Sequence, residues 1–101
     1  AIQTIEVAKE KHKRNALHYQ IGKVAAEYNI ELNKGEQYLQ TYIKNYSAVD
    51  EVPIAWANYR LAQIYKLKGN KNQALKHIDL ALKESPETKS FKKEKNTIQF
   101  M

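Results

Sequence analysis

The 101-residue chain has no cysteine, three glycines, two prolines and no apolar run longer than a few residues. Without thiols, neither a disulfide framework nor a Cys-ligated zinc site can form. A membrane-spanning helix needs roughly 20 apolar residues, and no stretch approaches that. The start also lacks the basic segment leading into an apolar core that marks a secretion signal. Gly22, Gly35 and Gly69 are too scattered to build a phosphate-cradling loop. No Ser lies in a nucleophile motif. His12 and His18 are six residues apart, on different faces of a helix, and His77 is distant. No His-Glu-x-x-His or paired Glu-x-x-His array occurs. We therefore expect no enzyme, no metal and no cofactor.

What is present suits one folded unit. Hydrophobic residues make up 43% and charged residues 28%, the proportions of a globular chain, and the length supports a single core. The net charge of +6 is uneven: residues 1–50 hold seven Lys/Arg against six Asp/Glu, residues 51–101 ten against five. Such asymmetry suits an acidic partner, nucleic acid or anionic lipid, and equally a solvated lysine-rich surface. No helix joins a basic face to a broad aromatic one, which argues against membrane-surface binding. The start at Ala1 rather than Met leads us to expect a piece of a longer protein.

The periodicity predicts about five helices and no strand. From Ile5 to Asn29 apolar residues recur among many Lys and Glu, as one long helix or two nearly collinear ones, and Asn29 suits the left-handed conformation that ends a helix. Lys9 to Arg14 should project into water, with Glu6 above Glu10 and Lys9 above Lys13 on neighbouring turns. A second helix runs from about Asn33 to Tyr46, with Gly35, Leu39, Tyr42, Ile43 and Tyr46 on one side. Ser47 to Pro53 breaks it, and Pro53 suits the first turn of a third helix ending at Lys68. Gly69 then supplies the positive φ after that helix, and Asn70 caps a fourth over Lys71 to Glu84. Ser85 should cap a fifth helix with Pro86 in its first turn, extending through Phe91, Glu94 and Ile98.

The helices repeat. Tyr19, Gln20, Ile21 and Gly22 recur forty residues later as Tyr59, Arg60, Leu61 and Ala62, while Gly35, Leu39 and Tyr42 recur thirty-nine later as Ala74, Ile78 and Ala81. Small residues let helix backbones approach, and the bulky ones fill the grooves beside them. Over residues 55–86, the spacing of Leu61, Ala62, Tyr65, Gly69, Ala74, Ile78, Ala81 and Pro86 resembles a tetratricopeptide repeat. The resemblance implies antiparallel helical hairpins stacked as a short right-handed α-solenoid within one domain, 1–101. Residues 15–47 would form a degenerate first repeat, 55–86 the second and 87–101 a terminal capping helix. The first repeat departs from the pattern: Tyr42 replaces a small residue, Lys34 crowds the turn and no proline follows at the usual place. Residues 1–14 fall outside any full unit.

Proteins of this family generally have no active site and hold a peptide or partner segment on a concave surface lined by the first helix of each unit. By register that surface includes Ala16, Tyr19, Lys23, Ala26 and Glu27, then Trp56, Tyr59, Arg60, Gln63, Lys66 and Leu67. Trp56 and Tyr59 read either as anchors for a partner or as filling between adjacent helices. Lys23, Arg60 and Lys66 can pair with carboxylates, Arg60 in bidentate fashion, or stay solvated. The family's clamp for acidic chaperone tails is incomplete, because Tyr19 and Lys23, then Tyr59 and Gln63, stand where it needs Lys and Asn. The expected function is a scaffold or adaptor binding a protein or peptide partner. Two alternatives are a nucleic-acid module using Lys66, Lys68, Lys71, Lys89, Lys92, Lys93 and Lys95, and a structural segment that self-associates through Ile98, Phe100 and Met101.

Overall fold

The computed structural model describes residues 2–47, 50 and 52–101, with side chains from Lys13 onward. Five helices follow in order: α1 Ile2–Tyr28, α2 Leu32–Lys44, α3 Ile54–Leu67, α4 Lys71–Glu84 and α5 Lys89–Gln99. No strand occurs among the described residues. The long first helix is continuous. The expected side-chain alignments of Glu6 with Glu10 and Lys9 with Lys13 lie outside the described residues, whereas Lys13 and Arg14 are exposed.

Local chemistry accounts for the boundaries. Asn29 turns left-handed at φ 52° and ends α1, and Glu31 does the same at φ 48°, so two non-glycine residues bracket Ile30 in this turn. Gly69 takes φ 78° after α3, and Asn70 Oδ1 accepts from Gln73 N at 3.2 Å to cap α4. Two boundaries differ from the sequence reading. Pro53 is the residue before α3 rather than its first turn, with ψ 149°. Ser85 ends α4 instead of capping α5, because Ser85 to Thr88 closes a turn of its own and Thr88 starts the last helix.

The helices pack as nearest neighbours. α1 lies along α2 and α3 along α4; α3 also sits on both α1 and α2, and α5 packs on α4 and more narrowly on α3. Among the described residues, no Cα of α4 or α5 comes within 8 Å of one in α1 or α2. This is the contact pattern of stacked helical hairpins, in which each unit meets only its neighbours. The Cα radius of gyration, 14.3 Å, exceeds the roughly 13 Å of a compact chain of this length.

Leu39, Leu61, Ile64, Ile78, Phe91 and Ile98 are fully buried, each contributing about 1.5–3 kcal/mol on transfer from water. Glycine makes the closest approach possible. A β-carbon on Gly22 would lie 2.2 Å from Leu39 Cγ, and one on Gly35 would lie 2.5 Å from Ala25 Cβ and 3.0 Å from Ile64 Cδ1. The link from α2 to α3 is tied down by polar groups. Buried Asn15 Nδ2 donates to Tyr42 O at 3.1 Å and to Asp50 Oδ2 at 3.2 Å, Asp50 Oδ2 also accepts from Ser47 N at 2.8 Å, and Tyr42 Oη donates to Val52 O. Burial, helped by the Asp50 charge, pushes the Tyr42 phenol up to about 12, so it remains a donor near neutrality.

Candidate partner-binding surface

The aromatic residues expected to line a groove are engaged by the last helix. Trp56 and Tyr59 meet edge to face at 5.5 Å, and Phe91 of α5 lies 4.8 Å from the Trp56 ring and 5.2 Å from that of Tyr59. Such geometry adds about 0.5–1.5 kcal/mol per pair beyond the area buried. Tyr19 is buried, its ring 5.6 Å from that of Tyr42. Trp56 and Tyr59, both half-buried, thus pack between α3 and α5, and Tyr19 packs between α1 and α2.

The polar residues of the expected surface form a chain along the same side. Arg60 Nη2 lies 3.3 Å from Glu27 Oε1, Arg60 Nη1 donates to Gln63 Oε1 at 3.1 Å, and Gln63 Nε2 donates to Tyr59 Oη at 3.1 Å. The Arg60 guanidinium also sits 5.0 Å above the Tyr59 ring. Burial raises the Tyr59 phenol, with the Arg60 charge opposing. Lys66 pairs with Glu94 of α5 at 2.7 Å. Lys23 is half-buried, while Ala16 and Leu67 are exposed and Ala26 is buried. The structure thus brings Glu27, Tyr59, Arg60 and Gln63 together in one chain of polar contacts, in which the buried Arg60 Nε is left without a hydrogen-bond partner among the described residues.

The open apolar surface is elsewhere. Leu17, Ile21 and Val24 of α1 are 60%, 42% and 43% exposed, and Tyr28 and Ile30 continue the patch. Residues 17, 21, 24 and 28 repeat at intervals of four, three and four, which aligns them along one side of a helix. Beside them is a cleft of about 340 Å³, lined by Leu17, Ile21, Val24 and Ala25 of α1, Ile30 of the left-handed turn and Lys34 of α2. Lys34 and Glu31 face each other at 3.8 Å on its rim, both solvated. The sequence reading takes these α1 positions only as part of the apolar recurrence from Ile5 to Asn29 and does not single out Leu17, Val24, Tyr28 or Ile30. The usable signal was the 4-3-4 spacing.

Several basic residues of the nucleic-acid alternative have partners. Lys66 pairs with Glu94 and Lys95 with Asp79 at 2.8 Å; Lys68 Nζ lies 2.7 Å from Glu36 Oε2 and donates to Asn33 Oδ1 at 2.7 Å; Lys71 Nζ donates to Gln99 O at 3.0 Å. Lys89, Lys92 and Lys93 are exposed. Self-association through the last residues needs one correction: Ile98 is fully buried on the preceding hairpin, whereas Phe100 and Met101 are exposed.

The described histidines serve packing. His18 stacks on Tyr38 at 5.5 Å. His77 stacks on Tyr65 at 5.3 Å, its Nδ1 2.9 Å from Asn58 Oδ1. No group of three or more metal-ligating side chains converges among the described residues, and no described helix is long and apolar enough to cross a membrane. Comparison with family models, curated proteins and solved structures returned no match.

Proposed function

We propose that this chain is a tetratricopeptide-like interaction module that binds another polypeptide, with the Leu17, Ile21 and Val24 face of α1 as its contact surface. The observation that carries this reading is the contiguous apolar patch and cleft on α1, since exposed apolar surface rimmed by polar groups is characteristic of protein contacts. The left-handed Glu31 adds weight. Such positions cost of order 1–3 kcal/mol each and cluster at binding sites, and here this one follows Ile30 at the edge of the cleft.

The nucleic-acid reading is second, because Lys66, Lys68, Lys71 and Lys95 are already engaged and only Lys89, Lys92 and Lys93 remain as an exposed cluster. Photo-crosslinking groups placed at Gln20 and, separately, at Lys92 distinguish the two in cells that make the protein. A polypeptide captured from Gln20, and lost on Ile21→Lys, is the expected result. Nucleic acid captured from Lys92, with a steep dependence on log salt and no effect of Ile21→Lys, would reverse the ranking.

A further inference from the structure

The molecule itself contains two covered versions of the face that α1 leaves open. In α3, Ala57, Leu61 and Ile64 are fully buried, and α3 sits on α1 and α2 as well as on α4. Ile64 Cδ1 would be 3.0 Å from a Gly35 β-carbon, so the smallness of Gly35 on the second helix makes its seat. In α5, Phe91 and Ile98 stand thirty-four residues after Ala57 and Ile64. Both are again fully buried on the preceding hairpin, and Ala74 holds the place of Gly35 on its second helix. Forty residues before Ala57, Leu61 and Ile64 stand Leu17, Ile21 and Val24. Their 40–60% exposure contrasts with 0% at all three positions of α3.

Building on the reading that this face binds a polypeptide, we propose that its occupant is a helical hairpin contributed by another polypeptide segment, stacked on α1 as α1 and α2 are stacked on α3. The chemistry of that hairpin follows from the interface already present. It consists of two antiparallel helices, with Gly or Ala on the second at the place of Gly35 and Ala74, to admit Val24. A lone helix or an extended strand supplies only part of this seat, because the seat of Ile64 combines Ala25 of one helix with Gly35 of the next. The flanking contacts also translate. Arg60 reaches back to Glu27 and Glu94 to Lys66, but the corresponding Gln20 is uncharged, so the hairpin needs no ion there. Lys68 reaches back to Asn33 and Glu36, and Tyr28 stands in its place, suited to a polar group at the start of the second helix. A second copy of this chain is a poor occupant. Its first hairpin is covered by α3 and its second by α5, which leaves no vacant seat.

A double-length chain tests this: residues 1–87 followed directly by residues 14–101. The second α1 then replaces α5 position for position, with Leu17 for Phe91, Ile21 for Lys95 and Val24 for Ile98. Because the protein lacks cysteine, Val24→Cys in the second segment alone reports burial through its rate of thiol labelling. We expect labelling at least 100-fold slower than for V24C in the unaltered chain, and fast again when Leu17→Asp is added to the second segment, because that place is held in α5 by the fully buried Phe91. Equal rates overturn the proposal. So does a double-length chain that fails to fold while a control with Leu17→Phe, Ile21→Lys and Val24→Ile in that segment, which restores the residues of α5, does fold. If neither folds, a peptide of residues 54–87 added to the unaltered chain carrying V24C decides: protection supports the proposal and no protection overturns it. A dimer of the unaltered chain that buries V24C identifies a second copy as occupant, and the proposal falls. A polypeptide captured at Gln20 while the double-length chain leaves V24C open keeps the binding role and removes only the hairpin.

Discussion

Gly35 occupies a point where three helices meet, with Ala25 of α1 and Ile64 of α3 both inside the space a β-carbon would take. Alanine is the better helix former by up to about 1 kcal/mol, but Ala25 Cβ has no rotamer to yield and overpacking costs about 1–3 kcal/mol. Gly35→Ala should therefore lose about 1–2 kcal/mol in urea unfolding. A variant as stable as the parent would mean that α1 and α2 separate freely. A second residue-scale feature is the polar group around Tyr65, whose hydroxyl donates to Glu36 and whose ring carries His77. Burial, assisted by the Lys76 charge and opposed by Glu36, lowers the His77 pKa below 6.5. For Glu36, burial acts upward, but hydrogen bonds from Lys68 and Tyr65 together with the Lys68 charge hold the carboxyl below 4.5. Both groups bind protons more readily in the unfolded chain. Their contributions are thus complete above about pH 6.5 for His77 and above about 4.5 for Glu36, and are lost as pH falls through the depressed folded values. Urea midpoints should drop between pH 7 and pH 5, and His77→Gln should flatten that interval while leaving the loss below pH 4.5.

At the scale of the element, α5 is held by few but well-placed groups: Phe91 against Trp56 and Tyr59, Glu94 on Lys66, and buried Ile98. Trp56→Ala removes a half-buried ring from this contact and should cost about 2–3 kcal/mol, below the 3–5 kcal/mol of a fully buried one. Hydrogen exchange should show α5 opening ahead of α1 and α2; uniform acceleration over all five helices would contradict this. The helices themselves were legible because amphipathic spacing and strong punctuation agreed: Asn29, Gly69 and Asn70 behave as their chemistry dictates. Ser85 misled because it satisfies a turn as readily as a cap, and here its hydroxyl pairs with that of Thr88 within the turn. Glu31 carried no sequence signal for a left-handed residue, since its conformation is imposed by the turn around Ile30.

For the whole molecule, the order of packing was legible and the site was not. Repeat register locates which side chains face a neighbouring helix, but cannot say whether the neighbour is present. Trp56 and Tyr59 were ambiguous for that reason until α5 was seen against them, and Leu17, Ile21 and Val24 stand exposed although their counterparts Ala57, Leu61 and Ile64 are fully buried. Charge was equally undecided, because Lys66 and Lys68 acquire their acidic partners only through contacts between α3 and its neighbours. That no close backbone approach joins α4 or α5 to α1 or α2 among the described residues also has a mechanical side. Drawn out from its two ends, a stack joined only link by link can let go of its helices in sequence, yielding gradually under tension where a closed bundle would rupture at once.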